Sequence, residues 1–222
     1  MVDRPLLVLI SCLGIMLAGL AGLDTGVTGL ALVGLGMLLG IAFMGFQYGF
    51  ASGWQRFLET GDGSPLSLHF LLAALCALMF IPVSAAGIGP SGSLAPVSLS
   101  LFIGAFMFGT GMQLANGCGS GVLFSFAGGS GRMLVALPFF VIGSVLGSII
   151  LPPLLALGSL GQVEIGAGLS GFGKLAVNLA LLLSAAAIFS WLGARRGFYL
   201  SRKMLLATAM IAMLCWGVFW VS

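Results

Sequence analysis

What most limits this chain is the spacing of its charges. Runs of about twenty apolar residues follow one another with almost nothing ionisable inside them. A helix needs about 20 predominantly apolar residues to cross a bilayer. Seven stretches meet that condition: residues 5–23, 29–50, 66–83, 97–116, 133–151, 174–192 and 204–221. The 222 residues hold only eight Lys/Arg and five Asp/Glu, 6% of the chain, where a soluble domain carries about 25%. So few charges cannot clothe a water-facing surface. The sequence therefore predicts an all-α integral membrane protein, a single membrane domain over 1–222 with the lipid bilayer as its first partner. The net charge of +3 gives no sign of nucleic-acid binding and matters only through where the basic residues fall.

The N-terminal "MVDRPLLVLISCLGIMLAGLAGL" has the charged start and small residues of a signal peptide. Its apolar run is longer than the roughly 7–15 residues of such a core, and it reads as the first transmembrane helix. Four of the eight Lys/Arg lie in "GARRGFYLSRK" (193–203), which the positive-inside rule assigns to the cytoplasm. Arg4 assigns the N-terminus to the same side, and six crossings between the two keep the assignments consistent.

Two stretches, 51–65 and 117–132, are too short and too glycine-rich to cross. Irregular backbone at membrane depth persists only where protein buries it or it lines a cavity, so both are expected to be re-entrant half-helices. They belong to an internal repeat. "GIAFMGFQYGFASGW" (40–54) aligns with "GAFMFGTGMQLANGC" (104–118), matching Gly40 with Gly104, Gly45 with Gly109, Ala51 with Ala115 and Gly53 with Gly117. The repeat units are 29–83 and 97–151, and helices over 174–221 follow. Paired glycine-interrupted apolar segments of this kind mark substrate sites in transporters. Under this alignment Trp54 stands where Cys118 stands in the second unit.

The second break, Asn116-Gly117-Cys118-Gly119-Ser120-Gly121, carries the chemistry. Its three glycines permit positive φ and expose backbone N–H groups, which form an anion-binding nest. A helix starting near Ser120 adds its dipole, and Asn116 and Ser120 add side-chain hydrogen bonds. The thiol of Cys118 is soft and weakly donating, suited to a ligand that contains sulfur. Arg132 is placed at the mouth, with Arg56 in the related position of the first unit. The structural alternative is a close-packing surface of small residues. Cys12, Cys76 and Cys215 sit inside apolar runs, His69 is the one histidine, and no CxxC or Cys/His set occurs, so neither a metal nor a cofactor is expected. The five carboxylates, Asp3, Asp24, Glu59, Asp62 and Glu164, all fall at loops or helix ends. With no acid–base pair inside the spans and no Walker motif, an enzyme is not expected.

The run from Gly111 to Ser148, containing "GCGSGVLFSFAGGSGRMLVALPFFVIGSVLGS", together with "IGAFMFGTGMQLA" before it, resembles the YeeE/YedE sulfur-transport membrane proteins. The resemblance implies uptake of thiosulfate or a related sulfur anion across a bacterial inner membrane, along a path lined by loop cysteines. Cys118 inherits that role. Family members carry more than one such cysteine, whereas here the first repeat offers Trp54, and "SCLG" at Cys12 is a poor match. A cytoplasmic sulfur-carrier protein near 193–203, or a second membrane subunit, is an implied partner. Two other readings stay open: a channel for another small anion, formate-like or selenium-containing, and a membrane scaffold that relays sulfur without transporting it.

Overall fold

The computed structural model describes residues 26–46, 48–87, 96–127, 129–155, 159–162 and 168–221, together with Gly14, Met16, Gly19, Gly22 and Leu23. In chain order the elements are α1 (Val27–Phe46), α2 (Phe50–Thr60), α3 (Ser64–Ala85), β1 (Pro96–Ser98), α4 (Leu99–Ala115), α5 (Gly119–Ala127), α6 (Gly131–Leu155), β2 (Ser159–Gln162), α7 (Gly171–Ala194) and α8 (Arg202–Val221). The fold is all-helical apart from the short antiparallel pair β1–β2, which joins Pro96 to Gln162 and Ser98 to Ser159.

Among the described residues, six segments are long and apolar enough to cross a membrane: Val27–Thr60, Ser64–Ala85, Leu99–Leu123, Gly131–Ile150, Gly171–Ala194 and Arg202–Val221. They account for six of the seven predicted spans. The predicted span at 5–23 lies outside the described residues except for five positions, which are helical. The two short predicted segments contain α2 and α5, each following a long helix after a break of a few residues.

The best-packed part of the molecule lies where α3 meets α7 and α8, with α8 also against α1. Small residues permit that approach. Gly63, just before α3, lies against the Phe189 carbonyl of α7, and a Cβ on Gly193 would sit 3.2 Å from the Gly63 nitrogen. Close backbone contact of this kind is how membrane helices associate when lipid supplies no hydrophobic drive. Ala42, Tyr48, Leu68 and Ile211 form the core beside it. There the Tyr48 hydroxyl donates to the Leu68 carbonyl at 2.8 Å and accepts from Thr208 at 3.5 Å.

Helices α4, α5 and α6 make the second part, joined to the first through contacts of α1 with α5 and of α2 with α4. Helix α4 buries none of its residues, and Phe106 and Phe139 are 74% and 73% exposed. Apolar area on that scale suits a hydrocarbon surrounding, where a soluble monomer would aggregate.

Candidate functional site

The break between α4 and α5 has a defined geometry. Helix α4 ends in a Schellman motif: the Gly117 N–H donates to Met112 O (3.1 Å) and the Asn116 N–H to Gln113 O (3.3 Å). The left-handed residue that closes such a motif is usually glycine and sometimes asparagine. Here it is Asn116, at φ 56°. The sequence reading gave positive φ to the glycines, but Gly117 and Gly119 serve a different end. A Cβ on Gly117 would lie 3.3 Å from the Val122 nitrogen, and one on Gly119 would lie 2.9 Å from the Phe140 ring. They let α5 turn back tightly against α4 and α6.

Cys118 is the N-cap of α5. Its carbonyl accepts the first helical bond, from Val122 N–H at 2.8 Å. Its sulfur lies 3.4 Å from Ser120 Oγ and near the Gly121 N–H, the third helical position that an N-cap side chain normally satisfies. The backbone N–H groups of Phe50 and Ala51 lie near the same sulfur. Those two open α2, whose N-cap Gly49 is extended (φ −115°, ψ 129°) and supplies no side-chain cap. The first N–H groups of a helix have no partner within it. The N-termini of two helices from far-apart stretches thus converge on one thiol, and the positive ends of both dipoles add there.

Two cavities flank this point. One, about 430 Å³, is lined by Cys118, Gly117, Gly119, Val122 and side chains of α4 and α6, including Phe108 and Phe140. The other, about 580 Å³, is polar and is lined by Tyr48, Ser52, Gln55, Arg56, His69 and Asn116, among others. Asn116, Gly49 and Ser52 line the second cavity, and the adjoining Gly117 and Cys118 line the first.

Of the residues singled out in the sequence, Asn116, Gly117, Cys118, Gly119, Ser120 and Gly121 therefore come together, with Asn116 facing the polar cavity and Cys118 the apolar one. Arg56 reaches the polar cavity with its Nε 2.9 Å from Oδ2 of the buried Asp62. Arg132 is exposed in the first turn of α6. Trp54 lines neither of these cavities; its ring packs edge-on against Phe50, Phe57 and Phe189. Hydrogen bonds pair the breaks differently from residue identity: Tyr48 N–H to Phe43 O (3.1 Å) matches Gly117 N–H to Met112 O, so the position equivalent to Cys118 by helix geometry is Gly49. Cys12 lies outside the described residues, and Cys76 and Cys215 are free thiols near each other where α3 meets α8. Sequence reasoning missed Phe50, Ala51 and His69. Phe50 and Ala51 act at the Cys118 sulfur through their backbone N–H groups, which no side-chain signal in the sequence marks.

The sequence model for sulphur transport proteins matches residues 47–220, from the break before α2 into the last turn of α8. No curated protein and no solved structure matches the chain. The matched segment covers the α4–α5 break, the whole lining of the cavity beside Cys118 and that of the polar cavity except Met44 and Phe46 of α1, and the chain belongs to the YeeE/YedE sulfur-transport family.

Proposed function

We propose that the chain imports a small sulfur-containing anion, thiosulfate or a close relative, between the two cavities and past the thiol of Cys118. The observation that carries this reading is the convergence of backbone N–H groups from α2 and α5 on a single sulfur between two cavities. With N–H groups around the sulfur, the thiol proton, shared with Ser120 Oγ, is the group that can donate to a passing ligand. The positive helix ends favour negative charge at that place without a fixed cation that would trap it. A soft sulfur atom of the ligand suits a soft thiol donor. Ser120 and Asn116 supply further hydrogen bonds beside it.

The scaffold reading, in which sulfur is relayed without transport, has no observation of its own in its favour. The repeat units 29–83 and 97–151 fit this proposal as two helix–break–helix modules whose breaks meet at the path. The expected orientation has 193–203 and the N-terminus in the cytoplasm of a bacterial inner membrane. A cytoplasmic sulfur carrier would then approach the basic loop.

The test is protection of the thiol. In a variant with Cys12, Cys76 and Cys215 replaced by Ser, a small methanethiosulfonate reagent should modify Cys118, and millimolar thiosulfate should slow that reaction severalfold while chloride does not. Modification at an unchanged rate with thiosulfate present would contradict the reading.

A further inference from the structure

His69, the chain's one histidine, stands in the wall of the polar cavity. Its Nδ1 lies 2.7 Å from the Pro65 carbonyl, one turn back on α3. A carbonyl only accepts, so Nδ1 carries a proton in either charge state of the ring, and the atom that titrates is Nε2. The ring is held by Tyr48 on one side (centroids 4.6 Å apart) and by the edge of Phe50 on another (5.4 Å). Phe50 is also one of the two α2 residues whose N–H groups lie near the Cys118 sulfur.

The titratable and charged groups around His69 are few. From α2 comes Arg56, paired with Asp62 of the α2–α3 turn, while Glu59 accepts from Gln55. Tyr48 comes from the α1–α2 break; α8 contributes Met204 and Ala207, the α4–α5 break Asn116, and α5 Ser125. The wall thus offers donors from the Arg56 guanidinium, the Gln55 and Asn116 amides and the Ser125 hydroxyl, while the Tyr48 and Ser52 hydroxyls donate to the Leu68 and Gly49 carbonyls. Neutral imidazole is the exception, because its Nε2 lone pair repels an anion. Protonated, it becomes one more donor and adds a positive charge.

We infer that the polar cavity takes up the sulfur anion together with one proton, held on Nε2 of His69, so that transport is coupled to protons. The inference rests on the sulfur-anion reading above. The proton comes from water on the entry side and adds to the Nε2 lone pair as the anion settles. When the anion moves on past Cys118, the imidazolium loses its counter-charge and releases the proton to water on the exit side, so one proton crosses with each anion. No other bond forms or breaks.

The experiment is calorimetric binding of thiosulfate to the purified protein, across pH and in two buffers of different ionisation enthalpy. The expected result is one proton taken up per anion, seen as a buffer-dependent heat, with affinity falling by about tenfold per pH unit on the alkaline side. His69→Asn keeps a donor for the Pro65 carbonyl and should flatten the pH dependence and remove the buffer difference. Buffer-independent binding by the native protein, or an Asn variant that keeps the native slope, would overturn the proton coupling and leave the sulfur-anion reading standing. No thiosulfate binding at any pH would overturn both.

Discussion

At the residue scale, Asn116 separates two roles that the sequence alone ran together. Its backbone closes α4 in the left-handed region, and its side chain lines the polar cavity. A β-branched residue there should cost about 1–2 kcal/mol, so Asn116→Val should lower the unfolding temperature of the detergent-solubilised protein. Asn116→Gly keeps the conformation at no steric cost. It should leave that temperature unchanged and weaken thiosulfate binding about fivefold, the worth of one hydrogen bond of about 1 kcal/mol. Equal binding by Asn116→Gly would make the residue a cap only. Cys118 and its flanking glycines were legible in the sequence because an unusual cluster of small and polar residues interrupts an apolar run. The residues that complete the thiol's surroundings, Phe50 and Ala51, were not. They act through backbone N–H groups, which side-chain chemistry does not reveal, and only the tertiary fold brings them across. Trp54 misled for a related reason: residue identity aligned it with Cys118, whereas capping hydrogen bonds set the equivalence at Gly49.

At the scale of elements, the α2–α3 turn shows how the first break is anchored. Asp62 is 3% exposed. It holds Arg56, and its Oδ1 accepts from Ser64 N–H at the start of α3 (3.0 Å). Asp62→Ala removes the ion pair and an acceptor for a helix N-terminus together. Because Arg56 is half exposed, the pair itself contributes little, and the loss should be about 1–2 kcal/mol, mostly from the uncapped helix end. Asp62→Asn retains the acceptor and should cost less than half of that in the same unfolding measurement. Gly63 is stricter still, because a Cβ there would run into the Phe189 backbone. Backbone cannot swing aside as a side chain can, so Gly63→Ala should force α3 away from α7 and cost on the order of 3 kcal/mol. The helices themselves were readable from hydropathy to within a few residues. Helices α3 and α7 begin two and three residues earlier than the apolar windows because Gly63 and Ser170 cap them. By contrast, α1 ends four residues sooner, at Phe46, and α2 stops at Thr60 before the left-handed Gly61, details that an apolar window does not resolve.

At the scale of the whole molecule, packing and charge agree on which loops share a side. Arg196, from the basic loop 193–203, lies over Gly61 of the α2–α3 turn, so that turn and that loop face the same compartment. In the orientation proposed above from the positive-inside rule, that compartment is the cytoplasm. A cysteine introduced at Ser201 in the cysteine-free background should therefore react with an impermeant maleimide in inside-out vesicles and stay unmodified in intact cells. The exposed apolar faces of α4 and α6 complete the picture of a body built for hydrocarbon, with its polar cavity lined by residues of α1, α2, α3, α5 and α8. The account as a whole rests on the thiol between the two cavities, and uptake reads it most directly. Proteoliposomes holding the native protein should accumulate labelled thiosulfate. Those with Cys118→Ala or Cys118→Ser should lose at least nine-tenths of that rate while retaining the native unfolding temperature. Equal uptake by all three proteins would contradict a path that runs through this thiol.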